Sequence, residues 1–140
     1  MPVHYNAATQ NARMTATLAQ IDAGGPTDYA VLEIGTAGMA ATLVEIELGK
    51  PSFSVSNAAG GPPVTTAAHL ALLGVPLSDD VPGTATAATA AAARIVDHTG
   101  AVIVTGLTVG LTGADINLNS TALSPGQTVT ITQGTITHAA

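Results

Sequence analysis

The hydrophobic period of this chain changes once and does not change back. Ala7, Met14, Leu18 and Ile21 recur at spacings of seven, four and three, so they fall on one stripe of a helix with Thr9, Arg13, Ala16 and Gln20 away from it. Asn6 is placed to cap the start of that helix and Gly24 to end it. Beyond Gly24-Gly25-Pro26 the apolar residues alternate instead. Leu32 and Ile34 alternate with Val31 and Glu33, and Val44, Ile46 and Leu48 oppose Leu43, Glu45 and Glu47. That is the pattern of half-buried strands, the second with two carboxylates in solvent.

The middle of the chain, 49–83, is punctuated by Pro51, Gly60-Gly61-Pro62-Pro63, Pro76 and Pro82, which remove ladder donors and predict long loops. Within it, 67–73 fits a helical turn or a strand equally well. The stretch 84–96 is Ala-rich, which favours helix by propensity, but Thr84, Thr86 and Thr89 and the residues that follow predict a strand. Asp97-His98-Thr99-Gly100 has the residues of a type I turn and joins Arg94-Ile95-Val96 to 101–104 as a hairpin. Asp115-Ile116-Asn117-Leu118-Asn119 alternates with Ile116 and Leu118 inward. Ser124-Pro125-Gly126-Gln127 reads as a type II turn, leading into a strand over 128–132 with Val129 and Ile131 on one face, and Ile136 belongs to a short last strand. Six to eight short strands with Gly/Pro turns and one leading helix predict an all-β, jelly-roll-like β-sandwich. The expected division is an N-terminal helical arm over 1–25 and a single sandwich domain over 26–140.

Composition narrows the function. The 140 residues suit one domain, and the formal charge of −6 comes from nine acids against Arg13, Lys50 and Arg94. Three fixed cations and three aromatic rings cannot neutralise a run of phosphates or form a base-stacking platform, so nucleic acid is not an expected partner. The absence of cysteine removes disulfides, thiolate catalysis and zinc-thiolate sites. No run approaches the roughly 20 apolar residues of a membrane span, and Met1-Pro2-Val3-His4-Tyr5-Asn6 lacks the basic start of a signal peptide, so no membrane association is expected. Charged residues make up only 9% of the chain, where soluble domains average about 25%. A weakly hydrated exterior of that kind suits a subunit covered in part by other subunits.

Motifs for chemistry are sparse. His4, His69, His98 and His138 show no metal-ligand spacing, and no cofactor is expected. Asp79-Asp80 precedes a Pro-Gly turn, where acids cap or solvate a loop. Gly49-Lys50 lacks the first glycine of a phosphate loop and is followed by Pro51 in place of Ser/Thr. There is no Gly-x-Ser-x-Gly elbow, and Glu45 and Glu47 read as a solvated strand face rather than a glycosidase pair. Asn119-Ser120-Thr121 matches a glycosylation sequon, which matters only in a secretory route that this N-terminus does not support. Arg94 stands alone in an Ala/Ile/Val strand and must either snorkel to a sheet edge or find a carboxylate, for which Asp115 is the intrachain candidate and an acid on another subunit would serve equally well.

The residues Arg94-Ile95-Val96-Asp97-His98-Thr99-Gly100, Gly106, Val109-Gly110, the run from Gly113 to Asn119, Pro125-Gly126 and Val129 resemble a family of small tailed-bacteriophage structural proteins, the capsid cementing or decoration proteins. Asn11-Ala12-Arg13-Met14 and Ile21-Asp22-Ala23-Gly24-Gly25 fit the same family. The resemblance implies a non-enzymatic jelly-roll subunit of the virion, a homodimer on the outer surface of the capsid. Its implied partner is the assembled major capsid protein lattice, whose neighbouring capsomers it would bridge. A neck or tail subunit and a carbohydrate-binding jelly roll are the alternatives, the latter disfavoured by the scarcity of aromatic rings. Met14 and Leu18 on the helix, with Arg94 and Asp115, are the expected interface residues.

Overall fold

The computed structural model describes residues 3–60 and 64–138. Met1, Pro2 and the Gly61-Pro62-Pro63 part of the expected central loop lie outside the described residues. One helix, α1 (Ala7–Ile21), precedes strands β1 (Val31–Gly35), β2 (Thr42–Glu47), β3 (Phe53–Ser56), β4 (His69–Leu72), β5 (Leu77–Asp80), β6 (Ala88–Thr89), β7 (Ala92–Val96), β8 (Val102–Gly110), β9 (Ile116–Leu118), β10 (Ala122–Leu123) and β11 (Thr128–Thr137). The main sheet runs β2-β1-β7-β8-β9-β11-β4-β3, with β5 also on β11, and β6 pairs with β10 apart from it. All pairs are antiparallel except β8 with β9. The sheet curls into a half-barrel until its edge strand β2 approaches β5. This is the all-β sandwich with one helix that the sequence predicts.

The helix begins where expected. The Asn6 side chain accepts from the Thr9 amide at 2.8 Å, and its carbonyl receives the first helical bond from Gln10. Asp22 closes the last turn, and Gly24 follows in the left-handed region at φ +98°. The expected turns also form. Gly100 donates to Asp97 across the β7–β8 hairpin, and Gln127 donates to Ser124 with Gly126 at φ +81°, the type II position.

Four local expectations are corrected. The stretch 84–96 is not one strand: Ala85 bonds back to Pro82, and β6 and β7 are separated by Ala90 and Ala91. There the backbone changes partners, Ala90 donating to Thr121 beside β10 and Ala91 to Gly35 at the end of β1. Asp79 and Asp80 lie in β5 rather than in a loop, because β11 supplies a ladder for them. Leu43 is buried together with its neighbour Val44, since β2 carries one extra residue opposite the Ile34–Gly35 step and the bulge turns both inward. Ile136 lies near the end of a continuous ten-residue strand, β11, which pairs with β5 through its first half and with β4 through its second. The ambiguous segment 67–73 is strand β4.

One core fills the curl. Ile21, Leu32, Ile34, Ile46, Phe53, Leu70, Ile95, Ile116, Leu123 and Ile131 are among its fully buried large side chains, and the small Ala90 and Ala93 are buried with them.

The helix read as a detachable arm packs on this body. Met14 and Ile21 belong to the core, and α1 lies against β3, β4 and β8. Polar latches fix it to the loop-rich middle of the chain. Buried Gln10 accepts from the Ala68 amide at 3.1 Å, Asn11 accepts from Ala58 at 2.8 Å, and Asp22 accepts from both the amide and the hydroxyl of Ser52. Lys50 in turn donates to the carbonyls of Gly25 and Asp28 at 2.8 and 3.1 Å. Backbone groups that the prolines leave without a ladder thus find partners on the helix, which is the physical reason the irregular middle holds one shape.

Candidate functional site

The four residues expected at an interface are not brought together. Met14 is buried beneath the helix, and Leu18 packs half-buried against the core. Arg94 does not reach Asp115. It sits directly opposite Glu33 in the β1–β7 register, and its Nε donates to the Glu33 carboxylate at 2.6 Å. Cross-strand neighbours lie closer than any group on the loop after β8, so Glu33 takes the cation. Asp115 instead ties that loop to its strand, accepting from the Thr108 amide while the Thr108 hydroxyl accepts from the Asp115 amide, each at 2.9 Å.

What the fold assembles is a cavity of about 290 Å³ between α1 and the sheet. Met14, Val104 and Ile136 supply its apolar lining, and Tyr5, Arg13, Thr17, Thr137 and His138 its polar groups. The Arg13 guanidinium carbon lies 4.3 Å over the Tyr5 ring, and the His138 ring meets Tyr5 edge-on at 5.9 Å. The buried Nδ1 of His138 has no hydrogen-bond partner among the described residues. Sequence reasoning missed this group because Tyr5 and His138 lie at opposite ends of the chain, joined only when the backbone of β11 runs past β4 and His138 bonds to Ala68. No spacing rule could have found it.

A second cleft, of about 440 Å³, lies where β2 approaches β5, between Thr42, Leu43, Val44 and Glu45 of β2 and Asp79, Asp80 and Pro82. Glu45 and Glu47 are exposed on β2, the solvated face that the alternation predicts. Asp80 accepts from the Thr128 hydroxyl at 2.6 Å, and Asp79 accepts from the Asp80 amide at 2.8 Å, so both carboxylates serve the strand.

The remaining surface feature is β8. In its sequence, Val-Ile-Val-Thr-Gly-Leu-Thr-Val-Gly, Leu107 is buried, Ile103, Val104 and Val109 are partly buried against the core, and Val102, Thr105, Gly106 and Thr108 are exposed. Val102 is 51% exposed at its start and Leu111 57% just past its end.

Among the described residues, no cluster of three or more His, Cys, Asp or Glu is placed to hold a metal ion, and no helix is long and apolar enough to cross a membrane. No family model matches the chain, and no curated protein or solved structure does either.

Proposed function

We propose that the protein is a non-enzymatic structural subunit of a tailed-phage virion that binds the outer surface of the assembled capsid shell and cements neighbouring capsomers. The observation that carries this reading is β8, flanked by two exposed large apolar side chains, Val102 at its start and Leu111 just past its end. It lies inside the segment 94–129 that resembles phage cementing proteins, and that segment is contiguous in space as β7, β8, β9 and the start of β11. Two further properties support it. The charge of −6 keeps an exterior subunit from adhering to packaged nucleic acid. Two of the three fixed cations are spent inside the fold, Arg94 on Glu33 and Lys50 on loop carbonyls, so the outer surface is acidic or neutral nearly everywhere.

Cementing follows from mass action. A subunit that binds the assembled, expanded lattice and not its separate capsomers stabilises the shell by its binding free energy at each site. The β8 face would lie against the shell or against a second copy in a dimer. The test is to mix purified protein with empty expanded shells and sediment them. A saturable, fixed ratio to capsid protein supports the reading. Absence from the shell pellet together with binding to isolated necks or tails would move the protein to those assemblies, and binding to a glycan array alone would make it a carbohydrate-binding module.

A further inference from the structure

Arg13 is the one fixed cation whose side chain has no hydrogen-bond acceptor among the described residues, since Lys50 is held by the carbonyls of Gly25 and Asp28 and Arg94 by Glu33. On a molecule of net charge −6, an approaching carboxylate is therefore drawn to the mouth of the Tyr5–Arg13–His138 cavity and repelled from the acidic ends of the sheet. The cation–π contact with Tyr5 holds the guanidinium in place and leaves N–H groups for a carboxylate fork. Beside it, the His138 ring meets Tyr5 edge-on at 5.9 Å and closes one side of the cavity. Below them Met14, Val104 and Ile136 offer an apolar floor, in a volume near the small end of ligand sites.

We propose that this cavity is a docking site for an Asp or Glu side chain flanked by an apolar residue on an extended segment of a partner protein. The carboxylate sits on Arg13 beside the His138 ring, and the apolar neighbour fills the floor between α1 and β8. The proposal rests on the reading of the protein as an assembly subunit, because that reading makes the ligand part of a macromolecule rather than a free metabolite.

The experiment is an amide chemical-shift titration of the labelled full chain with acetyl-Glu-Leu-amide, and in parallel with acetyl-Gln-Leu-amide and with acetate. The expected result is saturable shifts at Tyr5, Arg13, Thr17, Val104 and His138 with the Glu peptide. The Gln peptide should bind about tenfold more weakly, and acetate more weakly still. Arg13→Gln, at an exposed position, should erase the Glu-over-Gln preference while the amide spectrum elsewhere is unchanged, and His138→Ala should weaken the Glu peptide. Failure to saturate, equal binding of both peptides, or an unchanged preference in Arg13→Gln would overturn the site. Acetate binding as tightly as the peptide would overturn the partner segment. Shell sedimentation is scored separately: a chain that binds the Glu peptide but no shell refutes the cementing role and leaves the site standing.

Discussion

Arg94 on β7 and Glu33 on β1 stand directly opposite each other, and the guanidinium Nε donates to the carboxylate at 2.6 Å. Only 12% of the Glu33 side chain is exposed, against 34% for Arg94, so the acid is the member that depends on the pair. Arg94→Ala should therefore cost more than an exposed ion pair does, about 1–3 kcal/mol, because it leaves a nearly buried carboxylate without its donor. Restoring stability in the Glu33→Ala/Arg94→Ala double variant relative to Arg94→Ala alone, measured by urea unfolding, is the expected sign of that coupling.

The latches between α1 and the middle of the chain make the helix part of the folding unit. Gln10→Ala leaves the buried Ala68 amide unpaired and should cost about 1–3 kcal/mol. Ile21→Ala, fully buried, should cost about 2–5 kcal/mol. Deleting residues 1–25 should abolish the cooperative thermal transition, where a true arm would leave it intact. Calorimetry of the truncated chain decides between them.

Gly35 sits opposite the β2 bulge, and a Cβ there would overlap the carbonyl oxygen of Ala41 and press on the Met39 side chain. Backbone cannot yield as a side chain tip can. Gly35→Ala should destabilise by about 1–3 kcal/mol and lower the thermal midpoint, whereas Gly113→Ala, with open space around its Cβ, should show only the smaller effect of its positive φ.

The β7–β8 hairpin carries a pH dependence. The Thr99 hydroxyl, donating at 2.6 Å, holds the Asp97 carboxyl below its ordinary range, helped by the amides of Ala101 and Thr99 and by nearby His98. A carboxylate whose folded value is depressed contributes stability that is present above its unfolded value, about 3.9, and is lost as pH falls through the lower folded value. Asp97→Asn should flatten the acid limb of the stability curve in that window and leave it unchanged in shape near neutrality, as followed by denaturant midpoints against pH.

The period switch after Gly24-Gly25-Pro26, the Asn6 cap and the two turns at Asp97 and Ser124 were legible because each depends on residues within a few positions of one another. The break at Ala90–Ala91, the bulge at Leu43 and the partner of Arg94 were not, because each is decided by which strand lies alongside. Asn117 shows the same limit. Alternation points it outward, but it is buried, its side chain accepting from the Ala114 amide. The Tyr5–Arg13–His138 cavity is the extreme case, assembled from both ends of the chain.

The most direct test of the cementing account is the thermal disruption temperature of empty expanded shells, measured alone, with the protein, and with Val102→Asp, a change at a position 51% exposed that the fold should tolerate. The account predicts that the protein raises the disruption temperature at saturation and that Val102→Asp, folded but carrying a charge on the β8 face, raises it less or not at all. Shells disrupted at the same temperature with and without saturating protein would contradict it.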